Sequence, residues 1–114
     1  MTAASGPAEV LAALDRGEPV DRKSVRAAVK ATLYRLQEIA PGHSVEVRVP
    51  PHAAVQAIPG VRHRRGTPPA VVETDARTWL ALALGDLAWD EAIDEGRVSA
   101  SGSRSDLSGY LPLP

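Results

Sequence analysis

Cysteine and phenylalanine are both absent from this 114-residue chain, and each absence excludes something. Without cysteine there is no disulfide framework, no thiol nucleophile and no cysteine-based metal site. That suits a reducing compartment, and the expected location is the cytoplasm. Without phenylalanine, the aromatic residues reduce to Tyr34, Trp79, Trp89 and Tyr110, so Ala, Val and Leu must fill the interior in thin layers. No apolar run approaches the roughly eighteen residues that a membrane span needs; the longest comparable stretch covers only 79–84. The first residues, Met1-Thr-Ala-Ala-Ser-Gly-Pro7, lack the charged and apolar regions of a signal peptide. Strong basicity is missing too: a formal net charge of -1 argues against a specific nucleic-acid partner.

What is present suits one domain over 1–114, with roughly two-thirds of the unfolded surface buried. The stretch 1–42 reads as two helices. The first spans 7–15, with Pro7 in its first turn and Gly17 past its end. The second spans 22–40, capped by Asp21 and stopped by Pro41-Gly42. Val25, Ala28, Val29, Thr32, Leu33, Leu36 and Ile39 recur there at three and four residues, which buries one face. The period then changes. Val45, Val47 and Val49 alternate with Glu46 and Arg48, as in a strand with one wet face. Residues 52–58 alternate weakly and predict a second strand, with a short helix as the rival because Ala favours helices. Residues 61–66 form an exposed basic edge strand or loop, and 70–73 a short strand buried on both faces.

Thr74 or Asp75 caps a helix over 76–84 closed by Gly85, and Asp86 caps another over 87–95 closed by Gly96. A strand follows over 97–101, with Val98 pointing in, and then a terminal helix capped by Ser103 or Ser105 and containing Leu107, Tyr110 and Leu111. Strands grouped mid-chain and followed by helices predict an α+β fold: a small mixed sheet covered by helices on one side.

This order resembles the sterol carrier protein superfamily, in particular its compact bacterial members. The strand and acidic cap fall on Val72-Glu-Thr-Asp75, the first helix ends at Gly85, and the second covers 86–95. A Gly-x-Val strand turn runs from Gly96-Arg-Val98 to Gly102, and a final helix begins near Asp106-Leu107. Pro51-His-Ala-Ala-Val-Gln56 and Gly66-Thr-Pro-Pro69 look like features of the bacterial subgroup. The likeness covers about 44–114, most strongly after Pro69. It implies an apolar tunnel between sheet and helices that holds sterols, fatty acids or acyl chains. The chain departs from this pattern in lacking the Phe and Met-rich stretches that commonly line such cavities. The C-terminal pattern also resembles the small accessory domain of mycothiol-dependent isomerases, where it accompanies a metal-binding helical domain.

The expected function is therefore non-catalytic binding or carriage of a small apolar or amphipathic ligand. The expected lining is Val47, Val55, Val72, Leu80, Leu84, Trp89, Ile93 and Leu111. The competing reading is that these residues only make the core. A second candidate is the basic run Arg62, His63, Arg64 and Arg65, which suits an anionic head group, a partner protein or RNA, or a charged edge kept soluble. On that alternative the protein is an accessory or interaction module with a filled core. A third candidate, Arg22, Lys23, Arg26 and Lys30, reads as a solvated helix face or a membrane-surface contact. No enzyme is expected. His43, His52 and His63 have no metal-ligand spacing, there is no nucleophile elbow or phosphate loop, and no metal or cofactor is implied.

Overall fold

A computed structural model describes residues 6–60, 70–102 and 104–114. The order is α1 (Pro7–Asp15), α2 (Arg22–Ile39), β1 (Val45–Val49), β2 (Ala53–Ala57), β3 (Ala70–Thr74), α3 (Ala76–Leu84), α4 (Trp89–Asp94) and β4 (Val98–Gly102). The basic run 62–65 lies outside the described residues.

The four strands form one mixed sheet in the order β2-β1-β3-β4, and the fold is α+β. β1 pairs antiparallel with β2 and parallel with β3, and β3 pairs antiparallel with β4. Register puts Val47 opposite both Val55 and Val72, and Thr74 opposite Val98. These positions share one buried face, as period-two alternation requires. On the other face Arg48 pairs with Glu46 on its own strand and reaches Glu73 of β3 at 4.0 Å. β3 is therefore not buried on both faces: Val71 is half-buried and Glu73 exposed. Residues 53–57 form a strand rather than a helix, because pairing with β1 outweighs the helix preference of alanine.

α2 covers the β2 side of the sheet, and α1 and α3 pack on α2 and on each other. Asp21 accepts a hydrogen bond from the Ser24 amide at 2.8 Å and so caps α2. After α2, Gly42 is a steric necessity. Its φ is +152°, and a Cβ there would stand 2.1 Å from the Ile58 carbonyl oxygen. That carbonyl accepts from both the amide and the hydroxyl of Ser44, which ties the start of β1 to the end of β2.

The expected terminal helix does not form. Residues 104–114 make only isolated turns, with the Tyr110 amide bonded to the Leu107 carbonyl at 3.0 Å. Gly109 weakens helix there, and Pro112 and Pro114 disfavour helical backbone at Leu111 and Leu113. The tail instead lies against α3, where the Leu113 amide donates to the Ala83 carbonyl at 2.9 Å. Leu107 is its fully buried anchor. Among the described residues, no helix is long and apolar enough to cross a membrane.

Candidate functional site

The site is framed by α3, which is held at both ends and through its middle. At its start Asp75 accepts from the Thr78 amide at 3.1 Å and the Thr78 hydroxyl at 2.6 Å. Partial burial pushes the Asp75 carboxyl up, but the two Thr78 hydrogen bonds, the local backbone and the charge of Arg97 outweigh it and hold it below the usual carboxylate range. In the middle, Trp79 is 0% exposed, and its indole N–H donates to the Thr32 hydroxyl on α2 at 2.8 Å. That hydroxyl lies 2.8 Å and 2.9 Å from the Ala28 and Val29 carbonyls. The polar atoms of this helix–helix contact are therefore satisfied in an otherwise apolar layer.

At its end α3 closes on Gly85 in the left-handed region, φ +87°. The amides of Asp86 and Leu87 both turn back to the Ala81 carbonyl. Asp86 thus belongs to the exit of α3 and does not cap the next helix. α4 starts at Trp89 behind Ala88, with no side-chain cap. Opposite this turn the tail returns: Asp106 accepts from the Ser108 amide at 2.9 Å, which holds its carboxyl below the usual range. Pro112 packs so close to Gly85 that a Cβ there would meet it at 3.3 Å.

Between the α3–α4 turn and the tail lies a cleft of about 400 Å³. Gly85, Leu87, Ala88, Trp89, Leu111 and Pro112 supply apolar walls, and Asp86, Asp90, Glu91 and Ser108 supply polar groups. That volume lies within the range of small-molecule sites, which are mostly apolar with a few placed polar groups. A smaller cleft of about 280 Å³ lies at the β1–β2 turn, between Arg48, Glu73, His52 and the Pro50-Pro51 pair. Among the described residues, no three His, Asp or Glu side chains converge in a way that could hold a metal ion.

The family described as the bacterial SCP ortholog has a model that matches residues 21–113. The chain belongs to this family. No curated protein matches the chain. The match to the bacterial SCP ortholog family starts at the Asp21 cap, so it takes in α2, ahead of the stretch that carries the resemblance in the sequence. It leaves α1 outside. α1 nevertheless contributes Val10 and Leu11 to the core, and its Asp15 accepts from Arg77 of α3 at 2.7 Å.

Within this member of the family, the expected lining residues separate into three groups. Val47, Val55, Val72 and Leu80 are buried in one core cluster with Trp79, Leu33 and Leu36, and none of them borders either cleft described above. Trp89, 8% exposed, and the half-buried Leu111 stand on the walls of the larger cleft. Leu84 and Ile93, at 38% and 37% exposed, border neither. The sequence reading misses Leu87, Ala88 and Pro112 as wall residues. The available signal is the Leu-Pro-Leu-Pro close of the chain, an apolar segment unable to continue as helix. It likewise misses Thr32 as the partner of Trp79, where the signal is a lone hydroxyl within an apolar stripe.

Proposed function

We propose that the protein binds and carries, without catalysis, a small apolar or amphipathic molecule such as a lipid, sterol or acyl chain, and does so in the cytoplasm. The observation that carries this reading is the cleft of about 400 Å³ walled by Trp89, Leu87, Leu111 and Pro112 in a chain of the bacterial SCP ortholog family. Binding there follows from desolvation, at roughly 0.8 kcal/mol for each methylene taken from water. The carboxylates of Asp86, Asp90 and Glu91 at the same cleft repel a free fatty-acid head group and favour a neutral hydroxyl or a cationic one.

Quenching of tryptophan fluorescence by a brominated long-chain alcohol tests the proposal. The probe should quench Trp89 at the cleft and leave the enclosed Trp79 bright, so Trp89→Phe should remove most of the response. Native mass spectrometry of freshly purified protein should show a retained lipid-like mass. Protein free of any such mass, together with an unquenched Trp89, would overturn the carrier reading.

A further inference from the structure

The larger cleft carries charge of one sign only. Asp86, Asp90 and Glu91 stand on its walls, and no Lys, Arg or His does. All three acids are exposed. Among the described residues, the ion pairs engage Asp15, Glu18, Glu38, Glu46, Glu73 and Glu95 instead. No described cation therefore answers the carboxylates at the cleft.

Two of these acids serve their own helix, and one does not. Asp90 and Glu91 lie in the first turn of α4, where carboxylates complement the positive end of a helix. Asp86 follows α3 and gives α4 no side-chain cap. The last turn of α3 holds no basic residue, so Asp86 adds its charge to the negative end of that helix, which works against it. Trp89 belongs to the same walls, and indole is the aromatic side chain that attracts cations most strongly. Beside it Leu87, Leu111 and Pro112 supply apolar surface.

We propose that the cleft selects a cationic amphiphile, an apolar chain ending in an ammonium group, over neutral and anionic ones. The inference rests on the carrier reading of the same cleft and names the head group of its ligand. The chain covers Leu87, Leu111 and Pro112, and the ammonium group stands by Asp86, Asp90 and Glu91. A cation there offsets the negative charge gathered at the α3–α4 turn. A carboxylate head adds to that charge, and a hydroxyl leaves it unanswered. Because the acids are exposed, the preference is modest and screened by salt, each carboxylate near the cation being worth roughly two- to fivefold in affinity.

The test is displacement of a brominated long-chain alcohol, read as recovery of tryptophan fluorescence. An alkyltrimethylammonium ion, kept below its micelle concentration, should displace it at roughly a tenth of the concentration that the unbrominated alcohol of equal chain length needs. Raised salt should narrow that gap. Tetramethylammonium, which has no chain, should displace the probe poorly. Asp86→Asn with Asp90→Asn should remove most of the preference for the ammonium ion. Glu38→Gln with Asp94→Asn makes an equal change of charge at exposed positions off the cleft, and should keep it. Circular dichroism checks that both pairs remain folded. A bound alcohol with no preference for the ammonium ion, equal loss of preference in both variant pairs, or tetramethylammonium as effective as the long-chain ion would overturn the proposal and leave the carrier reading standing. Fluorescence that the brominated alcohol does not quench would overturn both.

Discussion

α3 and α4 follow one another closely, each carry a buried tryptophan and both end near a glycine, yet they do different work. α3 buries six of its nine residues and has a carboxylate cap and a left-handed glycine stop. α4 has six residues, buries only Trp89 and Ala92 and starts without a side-chain cap. The difference lies in what faces each helix. α3 packs on α1 and α2, whereas α4 has β4 as its main neighbour, with the tail across the cleft. A helix enclosed on several sides becomes core, and one left half-covered can wall a cleft. The lesson is that the cleft lies where the chain runs out of partners for its apolar residues.

The two tryptophans are the sharpest way to break this comparison. Trp79→Ala should cost about 3–5 kcal/mol, the range for deleting a large aromatic from a core, and it removes the bond that ties α3 to the Thr32 hydroxyl as well. Trp89→Ala should cost less, because the residue borders the cleft and is not enclosed on every side. Urea unfolding of both variants measures this. Equal losses would mean that α4 is as much core as α3.

The cap of α3 gives a smaller and pH-dependent effect. Asp75→Ala should cost about 1 kcal/mol near neutral pH, as the loss of a helix cap does. The folded state holds this carboxyl below its ordinary value. Its ionic contribution is therefore complete above about pH 3.9, the unfolded carboxyl value, and disappears as pH falls through the lower folded one. Asp75→Asn keeps a capping oxygen without the charge, so it should lose that acid dependence and lie slightly below the parent near neutrality. Acid titrations monitored by circular dichroism that superimpose for the parent and the Asn variant would show that Asp75 takes no part.

How far the sequence reports this architecture depends on the range of the contacts involved. α2 is legible because its stripe and its Asp21 cap are local, and the structure satisfies both within a few residues. β1 is legible because Glu46 and Arg48 mark its wet face. β3 is misjudged because Val71 suggests burial, while its outward face is set by the pairing with β1 that brings Glu73 toward Arg48. The tail is misjudged because its decisive bond, Leu113 to Ala83, joins residues thirty apart. The cleft inherits that difficulty. Gly85 and Asp86 look like punctuation until Pro112 is placed against them. Trp89 and Leu111 stand on the walls of the cleft, but their sequence signal is only that of large apolar side chains. Val47, Val55, Val72 and Leu80 carry the same apolar signal, and the fold spends them on the core.

The smallest effect addresses α4 directly. Ala88 already has the extended backbone of a cap position, with φ -78° and ψ 146°, and its carbonyl accepts from the Ala92 amide at 3.1 Å. What it lacks is a side-chain oxygen for the free amides of the first turn. Ala88→Ser supplies one and creates a Ser-x-x-Glu sequence with Glu91, whose carboxylate can then reach back to the cap amide. A gain of about 0.5–1 kcal/mol is expected, read as a raised thermal midpoint. The substitution also draws one negative charge away from the cleft, so a fatty acid should compete better against a long-chain alcohol than in the parent. A stabilised variant with unchanged ligand preference would mean that Glu91 does not govern the head group, leaving that role to Asp86 and Asp90. A variant with no added stability would show that the first turn of α4 is limited by its sparse tertiary cover, which is the same deficit that opens the cleft.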